Sequence, residues 1–136
     1  MKSKQVLDVQ QMQHLQELGL EMKETMLYWV VYEDGHENNF VTTKENAMEV
    51  IDESCGMLPA YTLQDVLDAL PDFIGDYCPI IDISFGIIRY DNLKRNDSPI
   101  LKEIYFNDED KYLIDAAYEL LVWAIEQDYI ETNKNE

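Results

Sequence analysis

The chain has few of the residues that form crosslinks, bind metals or hold phosphates. It contains two cysteines, two histidines and five scattered glycines. Cys55 and Cys78 lie far apart and form no Cys-x-x-Cys site, so free thiols in a reducing compartment are expected. No Gly-rich phosphate loop, His-Glu-x-x-His motif or Gly-x-Ser-x-Gly motif occurs. The sequence therefore predicts no cofactor.

Long apolar runs are also missing. No stretch of about 18 apolar residues could span a bilayer, and the first residues lack the apolar run of a signal peptide. The length of 136 residues fits one domain that buries a core without metals or disulfides. We therefore expect a single domain over residues 1–136 of a soluble, cytoplasmic protein.

Basic residues are scarce. The 10 Lys and Arg residues face 28 Asp and Glu residues, which gives a net charge of −18. A field of this sign repels nucleic-acid phosphates and anionic membranes, and it attracts basic proteins or metal ions. Direct contact with nucleic acid or a membrane is therefore not expected.

A local group of basic residues is the exception. Tyr90 and Tyr105 lie near it in the sequence and are of a type that stacks on bases. Against the overall charge, interspersed charge for solubility is the favoured interpretation. The group comprises Arg89, Lys94, Arg95 and Lys102.

The order of patterns is helix, hairpin, helix, helix, hairpin, helix. It predicts an α+β fold in which two antiparallel hairpins form a small sheet packed by three or four helices in two layers. The Asp34-Gly35 turn would place Trp29 opposite Phe40 in the first hairpin. The second would pair the alternating segment CPIIDISFGIIRY with ILKEIYF after a polar loop. Within CPIIDISFGIIRY, Gly86 would mark a bulge or a close backbone approach.

Four helices are predicted from apolar spacing and capping residues. The first, within residues 1–20, stops at Gly19 and either packs loosely or serves as an arm. The second runs from Thr42 to Gly56 with Ala47, Val50 and Ile51 as its apolar stripe, and the third is capped by Thr62 with Asp65. The last includes residues 113–130; its cap is Asn107 or Asp108, Glu109 and Asp110 lie in its first turn, and residues 131–136 fray.

The predicted core collects the apolar positions of these elements. Its members are Trp29, Val31, Leu63, Val66, Leu67, Leu70, Ile81, Ile83, Phe85, Ala117, Leu120, Leu121 and Trp123.

Three carboxylates interrupt the otherwise apolar last helix. Asp115, Glu119 and Glu126 fall within about 40° of one another on a helical projection. They are the candidates for metal ligands, and a magnesium site of carboxylates is one interpretation. The favoured interpretation is a solvated helix edge, because rows of charge on amphipathic helices normally face water.

Catalytic pairs are not evident. His14 and His36 lie among polar residues, and neither cysteine has a basic neighbour in sequence. The protein is therefore expected not to be an enzyme. The alternative is a magnesium-dependent hydrolase that uses carboxylates from Asp76, Asp82 or the last helix.

Two stretches carry a family resemblance. PAYTLQDVLDALPDFI, at residues 59–74, and LIDAAYELLVWAIEQDYI, at residues 113–130, resemble uncharacterised small acidic proteins of gut anaerobes, of the kind found in prophage-like or mobile DNA. The resemblance implies a bacterial or phage setting and brings no catalytic or binding residue with it.

The functional expectation is a small acidic interaction or regulatory protein. Its partner would be a protein, in one version a basic one, and a homodimer is a further version. In an alternative, the acidic surface mimics nucleic-acid phosphate and inhibits a nucleic-acid-binding protein.

Overall fold

The computed structural model describes residues 4–35, 38–92, 94, 100–107 and 111–133. Within these residues the chain forms four helices and two three-stranded antiparallel sheets. The α+β class and the number of helices are confirmed, whereas the single small sheet is wrong. The helices are α1 Val9–Glu17, α2 Lys44–Val50, α3 Leu63–Ala69 and α4 Leu113–Glu126. The strands are β1 Leu27–Tyr32, β2 Phe40–Thr43, β3 Cys55–Pro59, β4 Cys78–Asp82, β5 Ile87–Asp91 and β6 Lys102–Tyr105.

The first sheet has the order β2-β1-β3 and is covered on both faces. Tyr28 and Val30 pack with α2, whereas Trp29 and Val31 pack against the main core. The Trp29 indole N–H donates to the carbonyl of Leu7 at 2.9 Å. Cover on both faces explains why apolar residues run through β1 without polar alternation. A two-layer arrangement therefore does not describe this sheet.

The register of the first hairpin differs from the prediction. Trp29 lies opposite Val41, and Phe40 lies opposite Val30. The predicted Trp29–Phe40 pair required a two-residue turn, but the connection between β1 and β2 spans residues 33–39. A longer connection shifts which residues face each other.

The predicted helix from Thr42 to Gly56 is too long at both ends. Its N-cap is Thr43, whose hydroxyl accepts from the backbone N–H of Asn46 at 3.4 Å. The helix ends at Val50, and the chain then enters β3, which contains Gly56. Of the predicted apolar stripe only Ala47 is buried, so the stripe was wrong at Val50 and Ile51, which are exposed.

The segment CPIIDISFGIIRY is a hairpin rather than one strand. β4 ends at Asp82, whose Oδ1 accepts from the backbone N–H of Phe85 at 3.2 Å, and Gly86 turns the chain at φ +65°. The second sheet therefore has the order β4-β5-β6. Ile83 and Phe85 lie in the turn and are each 68% exposed, and Ile81 is 37% exposed. Their placement in the predicted core is wrong.

The main core lies between α1, α3 and α4 and the two sheets, whereas α2 packs with a separate small cluster. The predicted burial of Val66, Leu70, Ala117, Leu120 and Leu121 is confirmed. The remaining predicted members, Trp29, Val31, Leu63, Leu67 and Trp123, are partly buried against this core. Core residues that the sequence prediction omitted include Leu7, Met12, Leu15, Ile88 and Tyr90.

The helix ends follow recognisable capping chemistry. The predicted cap of α3 is confirmed: Thr62 accepts from the N–H of Asp65, and the Asp65 carboxylate accepts from the N–H of Thr62. α4 begins after Tyr112, without a side-chain cap, so Asn107 does not cap it, and residues 108–110 lie outside the described residues. Nor does α4 extend to residue 130. It ends at Glu126 with Asp128 at φ +62°, in a Schellman arrangement.

The two chain ends lie next to elements of the main core. Met12 and Leu15 of α1 are fully buried. The backbone N–H of Asn133 donates to the carbonyl of Gly19 at 2.9 Å. Residues 134–136 of the predicted frayed tail lie outside the described residues. In the part that the structure describes, no helix has the length and apolar character needed to cross a membrane.

Candidate functional site

The carboxylates of α4 are divided between two places. The Oδ1 atom of Asp115 accepts from Lys4 Nζ and from Gln11 Nε2, each at 2.9 Å, and so ties α4 to the start of α1. Glu119 instead accepts from Lys111 Nζ at 2.6 Å. Glu126 is exposed and lines a groove beside β6 together with Glu119. The sequence stripe therefore divides into a structural contact and part of a groove.

The other carboxylates proposed for catalysis have local ion-pair partners. The Oδ1 atom of Asp76 lies 3.7 Å from Lys94 Nζ, and the Oδ2 atom of Asp82 lies 3.9 Å from Arg89 Nη1. Among residues 4–35, 38–92, 94, 100–107 and 111–133, no group of three or more His, Cys, Asp or Glu side chains is arranged to hold a metal ion.

The aromatic residues near the basic group differ in accessibility. Tyr90 is fully buried, and its hydroxyl donates to the carbonyl of Pro71 at 2.7 Å, so its ring does not stack on a base. Tyr105 is half exposed, and its hydroxyl donates to Glu103 at 2.9 Å. Arg95 lies outside the described residues.

The remaining candidates from the sequence have ordinary surroundings. Cys55 is a buried free thiol, and Cys78 is a half-buried one. The ring of His14 lies edge-on to Tyr118, with centroids 6.3 Å apart. His36 lies outside the described residues.

A cleft of about 430 Å³ lies where three segments meet. The segments are the turn after α1, α3 with the residues just before it, and the chain after α4. Its lining combines an apolar part with five carboxylates and a single lysine. We call this site the acidic cleft; it is lined by Leu20, Glu21, Lys23, Glu24, Tyr61, Asp65, Asp68, Ala69, Ile130 and Glu131.

The turn after α1 and the segment that follows it form the first side of the acidic cleft, and backbone hydrogen bonds fix their conformation. Gly19 adopts φ +94°, which glycine tolerates at no steric cost, and this turns the chain out of α1. The N–H of Leu20 then donates back to the carbonyl of Leu15 at 3.1 Å. The phenol oxygen of Tyr61 accepts from the N–H of Lys23 at 3.0 Å, and this bond fixes the segment after the turn.

Asp65 connects α3, which forms the second side of the acidic cleft, to the segment that follows α1. One carboxylate oxygen, Oδ2, accepts from the hydroxyl of Thr25 at 2.8 Å and from the N–H of Thr62 at 2.9 Å. The carboxylate thus serves both the cap of α3 and the segment that follows α1. Both bonds are made by the same oxygen, so Asp65 holds the two segments together and also contributes negative charge to the cleft.

Burial and nearby charge determine the protonation state of the Tyr61 hydroxyl in the cleft. Burial raises the pKa of Tyr61, the charge of Asp65 raises it further, and the hydrogen bond from the Lys23 N–H acts in the opposite direction. The hydroxyl therefore stays protonated at neutral pH.

The carboxylates at the rim of the acidic cleft differ in their partners and in their exposure to solvent. Glu24 forms an ion pair with Lys44, and the hydrogen bond that the Lys44 ammonium donates lowers the pKa of the Glu24 carboxyl. Glu21 and Glu131 are exposed at the rim, and Asp68 accepts from the side chain of Gln64 at 2.7 Å. Because the lining holds five carboxylates and one lysine, its potential favours a cation.

No family model, curated protein or solved structure matches this chain.

Sequence reasoning did not identify the acidic cleft. Its acidic residues lie in segments that are distant in sequence, near Glu21, Asp65 and Glu131, and none of these segments forms a motif. The only signal was the general excess of carboxylates. A hydrogen bond from the N–H of Asn133 to the carbonyl of Gly19 holds the last segment beside the turn after α1.

Proposed function

We propose that this protein is a small interaction or regulatory module that binds a basic segment of another protein in the acidic cleft. The observation that carries the proposal is a cleft with carboxylates around an apolar lining. Its volume of about 430 Å³ falls within the usual range for pockets that bind small ligands. The proposed ligand is a lysine or arginine side chain together with its neighbours in the partner.

The chemistry of a long basic side chain fits both parts of this lining. Its methylene stem packs on apolar surface while its charged head reaches carboxylates. In the acidic cleft, Leu20, Ala69 and Ile130 provide the apolar surface. Glu21 and Glu131 provide carboxylates at the rim. The net charge of −18 steers a basic partner toward the protein and increases the association rate at low salt.

A matched pair of double variants tests the cleft. The probe is a fluorescein-labelled peptide of alternating lysine and leucine, measured by fluorescence anisotropy. Glu21→Gln with Glu131→Gln removes two charges from the rim, and Glu45→Gln with Glu49→Gln removes two exposed charges from α2. We expect the rim variant to weaken binding about tenfold, or 1.4 kcal/mol, and the α2 variant to weaken it about twofold or less.

Salt dependence supplies a second criterion. Binding should weaken as sodium chloride screens the contact. Equal losses in the two double variants would show that general acidity attracts the peptide, and that result would refute the assignment of the acidic cleft. A labelled peptide of alternating glutamate and leucine controls for apolar binding and should not bind.

A further inference from the structure

The outer edge of β6 has no neighbouring strand among the described residues. β6 pairs with β5 and ends the sheet. The N–H of Phe106 donates to the carbonyl of Gly86 at 2.6 Å, which sets the hydrogen-bonding phase of the ladder. Because hydrogen-bonded pairs alternate in an antiparallel ladder, the backbone groups of Ile104 face β5, and those of Glu103 and Tyr105 face away from it. An edge with outward N–H and C=O groups is a template for another strand.

A groove of about 470 Å³ runs beside this edge, between β6 and α4. All four residues of β6 line it, and Trp123 is one of the α4 residues that complete it. We call it the β6 groove; the other residues of its lining are Lys111, Glu119 and Glu126.

The β6 groove is less acidic than the chain as a whole. It holds two lysines, Lys102 and Lys111, and three glutamates, Glu103, Glu119 and Glu126, so its formal charge is −1. The whole chain has 28 acidic and 10 basic residues. Two copies of a chain with charge −18 repel each other, and contact through a nearly neutral surface adds less local repulsion than contact through an acidic one.

We propose that two copies of this chain associate edge to edge through β6 and form one continuous six-stranded antiparallel sheet. A two-fold axis at Ile104 places Glu103 opposite Tyr105 of the second copy. This register joins all the outward backbone groups of these two residues in four hydrogen bonds. It also keeps the two Glu103 carboxylates from lying directly opposite each other, where like charges destabilise a sheet. The contact is isologous, and closed two-fold dimers of this kind are the most common oligomers.

The side chains at this edge suit the same register. The Tyr105 hydroxyl already donates to the Glu103 carboxylate within one chain, at 2.9 Å. Opposite Glu103 of the second copy, Tyr105 can make the same type of bond across the axis. The β6 groove shares no residue with the acidic cleft, so a dimer leaves that cleft available.

Sedimentation equilibrium of the full chain tests the association. The expected mass rises with concentration toward twice the 16.0 kDa of one chain. Added salt should strengthen the dimer because it screens the repulsion between two negative molecules. A single 16.0 kDa species at all concentrations up to about 1 mM would overturn the proposal.

Amide hydrogen exchange measured by NMR identifies the surface without any substitution. The amides of Glu103 and Tyr105 should be at least about tenfold better protected in concentrated than in dilute protein, since they gain partners only in the dimer. The Ile104 amide faces β5 in both states and serves as the internal reference. A dimer in which the Glu103 and Tyr105 amides exchange freely would place the interface elsewhere and overturn the proposal.

Two substitutions at one position complete the test. Tyr105→Pro removes an outward N–H without removing a donor to β5, and it should raise the dimer dissociation constant at least about tenfold. Tyr105→Phe keeps the N–H and should leave a dimer. A Tyr105→Pro variant that still dimerises like the parent would contradict pairing through β6. If circular dichroism shows that Tyr105→Pro is unfolded, the exchange of the parent amides decides.

Discussion

Gly86 lies directly against Asn107: a Cβ atom at position 86 would lie 2.6 Å from the Cβ atom of Asn107 and 2.9 Å from its Cα atom. Gly86 also has φ +65°, in the left-handed region that favours glycine. Gly86 thus has two roles: it adopts the turn conformation of the β4–β5 hairpin, and it lets the chain just after β6 approach closely. This confirms that the glycine in CPIIDISFGIIRY marks a close backbone approach.

Replacement of glycines separates these two roles. Gly86→Ala should lower the free energy of unfolding by about 2–4 kcal/mol, because it adds a steric overlap to an unfavourable φ. Gly75→Ala, at φ +60° with open space around it, should cost about 1–2 kcal/mol from the backbone alone. Gly56→Ala has neither feature and should change stability by less than about 1 kcal/mol. Urea unfolding measures all three, and equal effects of Gly86→Ala and Gly56→Ala would contradict the close contact.

Core truncation tests the packing of α4. Leu120 is fully buried, so Leu120→Ala should destabilise the protein by about 2–5 kcal/mol through lost contacts and a cavity. Met48→Ala, on the exposed side of α2, should change stability by about 0.5 kcal/mol or less. Denaturant unfolding measures both, and a cost below about 0.5 kcal/mol for Leu120→Ala would place that residue at the surface.

The end of α4 offers a stabilising change. Asp128 has φ +62° and carries negative charge next to the negative end of the helix dipole. Asp128→Gly should raise stability by about 0.5–1.5 kcal/mol, because glycine accepts this conformation and the charge is removed. Asp128→Asn removes the charge alone and should give a smaller gain. Thermal unfolding measures both, and a lower melting temperature for Asp128→Gly would contradict the assigned helix end.

Alkaline pH should reveal the environment of Tyr118. Burial, followed by the charges of Asp8, Glu119 and Glu126, raises the pKa of Tyr118 to about 12. The unfolded chain ionises this group near a pKa of about 10, so its contribution to stability is complete below that pH and is lost as pH rises toward 12. Tyr118→Phe should therefore lose less stability than the parent between about pH 10 and pH 12. Identical pH dependence of urea unfolding in the two proteins would contradict the raised pKa.

Local chemistry explains which parts of the fold the sequence predicted. The cap formed by Thr62 and Asp65 depends on residues three apart, so its pattern is complete within one segment. The alternation of Ile81, Ile83 and Phe85 also follows a local pattern, but it continues through a turn that Asp82 and Gly86 create. Period-two apolar spacing alone does not distinguish a strand from a hairpin with an apolar turn.

The parts of the fold that were missed, and the proposed acidic cleft, depend on contacts that no local sequence pattern contains. β3 was missed because Gly56 and Pro59 are more typical of helix ends and loops than of strands. The acidic cleft depends on the approach of Glu131 to Glu21, two residues from opposite ends of the chain. The α4 carboxylates were predicted to share one edge, but α1 takes Asp115 as a hydrogen-bond partner.

NMR titration of the ¹⁵N-labelled protein shows directly whether the acidic cleft binds a basic segment. Unlabelled peptide of alternating lysine and leucine is added at low salt, and the amide shifts are mapped onto the fold. We predict that the largest shifts occur at Glu21, Lys23, Asp68 and Glu131, and that they diminish as salt is added. Shifts spread evenly over the acidic surface, or concentrated at β6, would contradict binding in the acidic cleft.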